Sequence, residues 1–155
     1  MTPAIVAVRR AKIWHEVREY PHDPATPSYG VEAAERLGLD PATVFKTLVA
    51  ETDTGRLVVA LVPVANTLDL KALATAVGAK RMSMAEAVAA ERATGYVVGG
   101  ISPLGQRKKL PTVIDDSARQ LETMYVSAGR RGLELALRPS DLISLSEATT
   151  AAIAR

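Results

Sequence analysis

Val44-Phe45-Lys46-Thr47-Leu48-Val49-Ala50-Glu51-Thr52-Asp53-Thr54-Gly55-Arg56-Leu57-Val58-Val59-Ala60-Leu61-Val62 is two apolar runs about a polar turn. The runs at 44–51 and 56–62 predict two strands, and Asp53-Thr54-Gly55 predicts a hairpin between them. Strand alternation puts Val44, Lys46, Leu48 and Ala50 on one side and Phe45, Thr47 and Val49 on the other. Both sides are apolar enough to be buried. Lys46 is the anomaly, because desolvating an unpaired ammonium costs several kcal/mol. It either snorkels outward or lines a polar cleft.

Outward from this hairpin, helices and strands mix without a regular βαβ rhythm. Thr2-Pro3 is a good N-cap and first-turn pair for a helix reaching about Trp14. A short strand is expected at 17–20. Pro21, Pro24 and Pro27 force a loop after it. Residues 31–37 read as a helix closed by Gly38, and Asp40-Pro41 as the start of a further helical turn. Helices are expected at 68–77, closed by Gly78, and at 83–92. Strands are expected at 96–98, 112–114, 123–127 and 133–137. Pro139-Ser140-Asp141 starts a C-terminal helix over about 142–153, in one piece or two. The pattern predicts a mixed α/β (α+β) fold, a mixed sheet with packed helices, rather than a doubly wound one.

The chain has 155 residues, enough for one domain with a substantial core, and we expect a single domain over 1–155. Apolar residues make up 48% and aromatic ones only 4%, so Ala, Val, Leu and Ile must build that core. A net charge of +2 and a pI of about 9.0 are too weak for general nucleic-acid coating but permit a local basic face. The absence of cysteine excludes disulfides, a cysteine nucleophile and thiolate zinc sites, and it is compatible with a reducing cytoplasm. Arg9, Arg10 and Lys12 interrupt any signal-like apolar segment, and no run of about 18 apolar residues predicts a membrane span.

Thr94-Gly95-Tyr96-Val97-Val98-Gly99-Gly100-Ile101-Ser102-Pro103-Leu104-Gly105-Gln106-Arg107-Lys108-Lys109 reads as a short apolar strand, a glycine loop and a basic run. Consecutive N–H groups in such a loop can cradle an anion or a carbonyl oxygen. The stretch matches neither G-x-x-x-x-G-K-[ST] nor G-x-G-x-x-G, and a tight turn with a solvated tail explains it equally well. Val126-Ser127-Ala128-Gly129-Arg130-Arg131-Gly132 is a second strand end followed by cations. The two ends and Lys46 can converge on one cleft. His15 and His22 belong to no Gly-x-Ser-x-Gly elbow, and His22 reads as a turn residue capped by Asp23. Asp115-Asp116 reads as the acidic start of a helix, and no metal site is expected.

Together these pieces resemble the YbaK/EbsC family of aminoacyl-tRNA deacylases, its Cys-tRNA(Pro) branch above all. The matching segments are Met1-Thr2-Pro3-Ala4, Tyr20-Pro21-His22-Asp23-Pro24, Val44-Phe45-Lys46-Thr47-Leu48, Leu68-Asp69-Leu70-Lys71, Thr94 through Gln106, Leu110-Pro111-Thr112 and Tyr125 through Leu133. The resemblance implies a barrel-like mixed central sheet, as in the editing domain inserted in bacterial prolyl-tRNA synthetases. It implies hydrolysis of mischarged Cys-tRNA(Pro), or Cys-tRNA(Cys), in the cytoplasm, with no cofactor, DNA or membrane involved and with prolyl-tRNA synthetase as a partner. Ala-tRNA(Pro) as the substrate, or a tRNA- or synthetase-binding module without activity, are the alternatives.

By the same resemblance, Lys46 is catalytic, holding the terminal adenosine or stabilising developing charge. Gly100 and Ser102 are catalytic through loop amides that orient the carbonyl. Tyr20, Tyr29, Thr47, Gly99, Ile101, Pro103, Ser127 and Glu134 bind substrate. Tyr29 stands where Phe is usual, and Glu134 stands where the family carries Asp. Arg107, Lys108, Lys109, Arg130 and Arg131 form a basic rim for the acceptor stem. The mechanism implied is attack by the substrate's own thiol on its carbonyl, which suits a chain without a cysteine or a plausible triad.

Overall fold

The structure, a computed structural model, describes residues 1–26 and 29–155, the side chain of Tyr29 excepted. Thr2 caps α1 (Pro3–Ala11) by accepting the Ile5 N–H, and Pro3 takes a first-turn position where no N–H is needed. The helix stops at Lys12, short of Trp14. β1 (His15–Glu19) begins ahead of the expected 17–20, and α2 (Tyr29–Leu37) follows the proline loop. The hairpin forms as expected: β2 (Phe45–Thr52) and β3 (Leu57–Pro63) pair antiparallel, from Phe45 opposite Pro63 to Glu51 opposite Leu57. Asp69 caps α3 (Leu70–Val77), which Gly78 closes.

The structure corrects three expectations. Residues 83–92 are not one helix. Met82–Met84 form β4 along the edge offered by Ala50, Glu51 and Thr52 of β2, and α4 (Ala87–Thr94) starts only afterwards. Tyr96-Val97-Val98 is not a strand. Gly95, at φ 81°, ends α4, and the Gly100 N–H closes a turn onto the Val97 carbonyl at 2.8 Å. β5 (Thr112–Asp115), a short 3₁₀ helix (Asp116–Gln120), β6 (Met124–Arg130) and β7 (Leu133–Leu137) come next, and α5 (Pro139–Ser146) is shorter than the expected 142–153 helix. Glu147, at φ 52°, ends α5, and β8 (Thr149–Ala151) then runs parallel to β5.

The strands make a five-stranded sheet, β4-β2-β3-β5-β8, and a three-stranded sheet, β1-β7-β6. One parallel bridge, Val44 to Tyr125, joins them, so the wrap is barrel-like but open. The larger sheet is covered on both faces. Phe45, Leu61 and Ile114 pack with Ile5, Val8, Met124, Val126 and Leu135 on one side. Val58, Ala60, Val62 and Val113 pack with Leu73 of α3 on the other. Burial on two faces is why β2 and β3 read as nearly continuous apolar runs. Among the described residues no helix is long and apolar enough to cross a membrane.

Candidate functional site

Strand register brings the candidate residues together. From the Val44–Tyr125 bridge, two steps along the parallel strands lead to Lys46 on β2 and Ser127 on β6. Ser127 stands opposite Glu134 of β7, and Glu134 stands opposite Arg18 of β1. Tyr20 follows β1, its N–H donating to the Gly132 carbonyl at 3.0 Å. β4 reaches β2 only at Ala50, so between Val44 and that point this edge of β2 has no strand partner among the described residues. A cavity of about 350 Å³ opens there, within the range of small-molecule sites. Lys46, Thr47, Tyr20, Gly99, Ile101, Ser127 and Glu134 line it.

The electrostatics of this cavity are unusual. Lys46 is half-buried, forms no ion pair among the described residues, and is pushed below the ordinary lysine range by desolvation. It therefore lines the cleft rather than snorkelling into solvent. Glu134 is 7% exposed and its Oε2 has no hydrogen-bond partner. Burial pushes its carboxyl up to about 8. Burial also raises Tyr20, the Gly132 backbone N–H near its hydroxyl lowers it, and the Glu134 and Glu32 charges raise it further. Thr47 Oγ1 is buried without a partner as well. Ser127 Oγ accepts the Gly129 N–H at 3.1 Å and bonds no base. Among the described residues the N–H groups of Gly99 and Ile101, both residues of the cavity wall, have no acceptor in the protein. Gly99 takes φ 93°, where glycine is favoured.

The structure places the other glycine-loop candidates away from the cavity. Gly100, Ser102 and Pro103 are buried beneath the loop and do not line the cavity. The Gly100 N–H is already bonded to Val97, and Ser102 Oγ accepts the Leu104 N–H at 3.3 Å. A Cβ on Gly100 would lie 2.8 Å from Arg130 Cα and 3.1 Å from Arg131 N, against backbone rather than a ligand. Gly100→Ala is therefore expected to cost about 1–3 kcal/mol of stability by overpacking. Thermal unfolding should register this as a fall of several degrees, and an unchanged midpoint would show that the loop yields freely.

The basic rim also divides. Arg130 and Arg131 sit at the β6–β7 turn, Arg130 3.7 Å from Glu19 and Arg131 donating to the Val98 carbonyl at 3.1 Å. Lys108 and Lys109 instead border a shallow pocket beside Glu147, with Lys109 paired to that carboxylate. Arg107 packs against Gly95. His22 is not capped by Asp23: its Nδ1 bonds Glu32 at 2.6 Å. Burial pushes Glu32 up, but His22, the Asp23 N–H and Thr26 outweigh it and hold the carboxyl below its usual range. This pair ties the loop after Tyr20 to α2. The Tyr29 ring lies outside the described residues.

Sequence reasoning missed Gly30, Met84 and Val98, all on the cavity wall. Gly30 lies just ahead of the helix expected over 31–37 and carried no signal in the sequence, but it falls in the first turn of α2. A Cβ there would meet Val64 Cγ1 at 2.4 Å, so its absence lets α2 approach β2 at Lys46. Met84 and Val98 are exposed apolar side chains at the mouth. A larger groove of about 610 Å³ lies beside Trp14 and Arg138, but its walls include no buried polar or charged residue. No cluster of His, Asp and Glu among the described residues could hold a metal ion.

Residues 23–145 match the family model for the aminoacyl-tRNA editing domain. The chain is 41% identical over 120 residues to EbsC of Enterococcus faecalis, named for Cys-tRNA(Pro)/Cys-tRNA(Cys) deacylation. That match covers 77% of this chain and 73% of EbsC. Two solved structures share the fold. One, described as a trans-editing enzyme for prolyl-tRNA synthetase, has a TM-score of 0.83 at 24% identity, covering 100% of this chain and 99% of that one. The other, hypothetical protein APE2540, has a TM-score of 0.88 at 21% identity, covering 99% and 100%.

Proposed function

This chain belongs to the aminoacyl-tRNA editing domain family, and from that premise we propose that it is a trans-editing deacylase clearing cysteine from Cys-tRNA(Pro) in the cytoplasm. The whole of residues 1–155 acts as one editing domain, and prolyl-tRNA synthetase is the partner that selects the tRNA. The observation that carries the reading is a cavity holding a cation, two unengaged amides and a buried carboxyl, but among the described residues no hydrogen-bonded pair of nucleophile and base. Such a site can orient an ester and stabilise an oxyanion, and it leaves the attacking group to the substrate.

In this reading the ester enters past Met84 and Val98. Lys46 balances charge developing on the carbonyl oxygen or holds the terminal ribose, and Gly99 and Ile101 donate to the same carbonyl. Arg130 and Arg131, beside the mouth, meet the acceptor-stem phosphates. Lys108 and Lys109 contribute less, because they face a different pocket. The test is discharge of purified Cys-tRNA(Pro), Ala-tRNA(Pro) and Ser-tRNA(Pro). Rapid, preferential release of cysteine is expected. Preference for alanine would reassign the substrate, and no release of any amino acid by folded protein would leave a binding module.

A further inference from the structure

Glu134 stands out among the buried groups because its setting suits an acid better than an anion. Its side chain is almost fully buried, Oε2 has no partner, and no ion pair among the described residues includes it. The titratable or charged residues facing it from the elements around it are Arg18 and Glu16 on β1, Tyr20 just beyond, Tyr125 on β6, Lys46 on β2, Glu32 on α2, and Arg130 and Arg131 in the β6–β7 turn. Glu32 is engaged by His22, Arg130 lies near Glu19, and Arg131 donates to Val98. A buried carboxylate with no cation at hydrogen-bonding distance keeps its proton rather than pay the desolvation cost.

We propose that Glu134 serves as an uncharged hydrogen-bond donor, its carboxyl O–H reaching an acceptor oxygen of the bound aminoacyl ester. The inference rests on the deacylase reading above. Lys46 already supplies the positive charge on the other wall of the cavity. A second, neutral donor adds to the stabilisation of a forming oxyanion, whereas an ionised carboxylate would repel it. Desolvation holds the carboxyl protonated up to about pH 8, which covers neutral conditions. The rival role for Glu134 is the opposite one, a carboxylate that binds the α-ammonium of the aminoacyl group.

Glu134→Gln separates the two, since it keeps a donor and cannot ionise. At about pH 7 the variant should deacylate Cys-tRNA(Pro) about 3- to 10-fold more slowly than the wild type, because an amide N–H is a weaker donor than a carboxyl O–H, yet faster than Glu134→Ala, which removes the donor altogether. Above about pH 8 the wild-type to variant ratio should fall by up to about tenfold per pH unit as Glu134 ionises. Subtracting the protein-free rate removes spontaneous hydrolysis, and taking the ratio removes the ionisation of the substrate thiol, which both proteins share. A loss of about 100-fold or more at pH 7, with a flat ratio, would overturn the proposal in favour of the ammonium role. Two measurements need no turnover. Carbon-13 NMR of glutamate-labelled free protein should show one carboxyl titrating near 8 that is absent from the variant. If every carboxyl titrates in the ordinary range, the proposal fails even where Glu134→Gln does not fold. Binding of 3′-cysteinylamido-3′-deoxyadenosine, an unreactive amide, should weaken above pH 8 in the wild type alone. Absent turnover by the wild type defeats the deacylase reading, and pH-independent amide binding defeats this one.

Discussion

Lys46→Ala should lower deacylation of Cys-tRNA(Pro) by at least about 100-fold, the loss of one preorganised electrostatic contact of roughly 2.7 kcal/mol. The position of Lys46 is what makes the expected effect so large. It lies where the strand edge has no strand partner among the described residues, half-buried in the wall of a cavity, where a charge acts through a lower dielectric than in water. Folding should not suffer in parallel. Lys46 has no ion-pair partner among the described residues, and desolvation already disfavours its charged form. Removing it relieves that cost, so the thermal midpoint of Lys46→Ala should match or exceed that of the wild type. Lys46→Arg retains the charge but spreads it over a planar fork, and it should recover only part of the rate. Single-turnover rates and thermal unfolding on the same preparations check both statements. Near wild-type activity in Lys46→Ala would return Lys46 to a structural role.

Lys46 was legible because a cation in a strand apolar on both faces violates the pattern around it. The hairpin was legible for the same reason in reverse: two long apolar runs and a glycine turn agree with one another. What escaped was whatever depends on contacts distant in sequence. β4 and β8 are three-residue strands whose own residues do not demand extended backbone. They exist because the edges of β2 and β5 needed partners. Tyr96-Val97-Val98 has strand composition, yet glycines on either side turn it into a loop whose tyrosine is buried and whose valines are exposed. Gly100 and Gly99 looked equivalent as glycines near a ligand. Only the packing of Arg130 against Gly100 separates a glycine needed for the fold from one facing the cavity. Glu134 became a candidate by resemblance alone and Ser127 mainly so, and it is the β6–β7 register that puts them opposite each other in the same cleft.

An S-methylcysteinyl ester of tRNA(Pro) should be nearly inert, and Ser-tRNA(Pro) should react far more slowly than Cys-tRNA(Pro). The expectation follows from what surrounds the ester. Ser127 Oγ accepts from a backbone amide and bonds no base among the described residues, and His22 bonds Glu32. A buried carboxyl held protonated up to about pH 8 is a poor base for activating water at neutral pH. The attacking group must then come with the substrate. A well-oriented intramolecular thiol can gain roughly 7–11 kcal/mol from proximity, more than any single contact in this cavity can supply. The balanced step forms a carbon–sulfur bond at the ester carbonyl, breaks the bond to the ribose 3′ oxygen, and passes the thiol proton to that oxygen. The products are free tRNA and a cyclic thiolactone, which water opens to cysteine. A methylated sulfur has no proton to lose and cannot follow this course. Mass spectrometry of early time points should find the thiolactone before free cysteine. Efficient release of S-methylcysteine would instead mean that water attacks directly, and the water would have to be held between Lys46 and the Gly99–Ile101 amides.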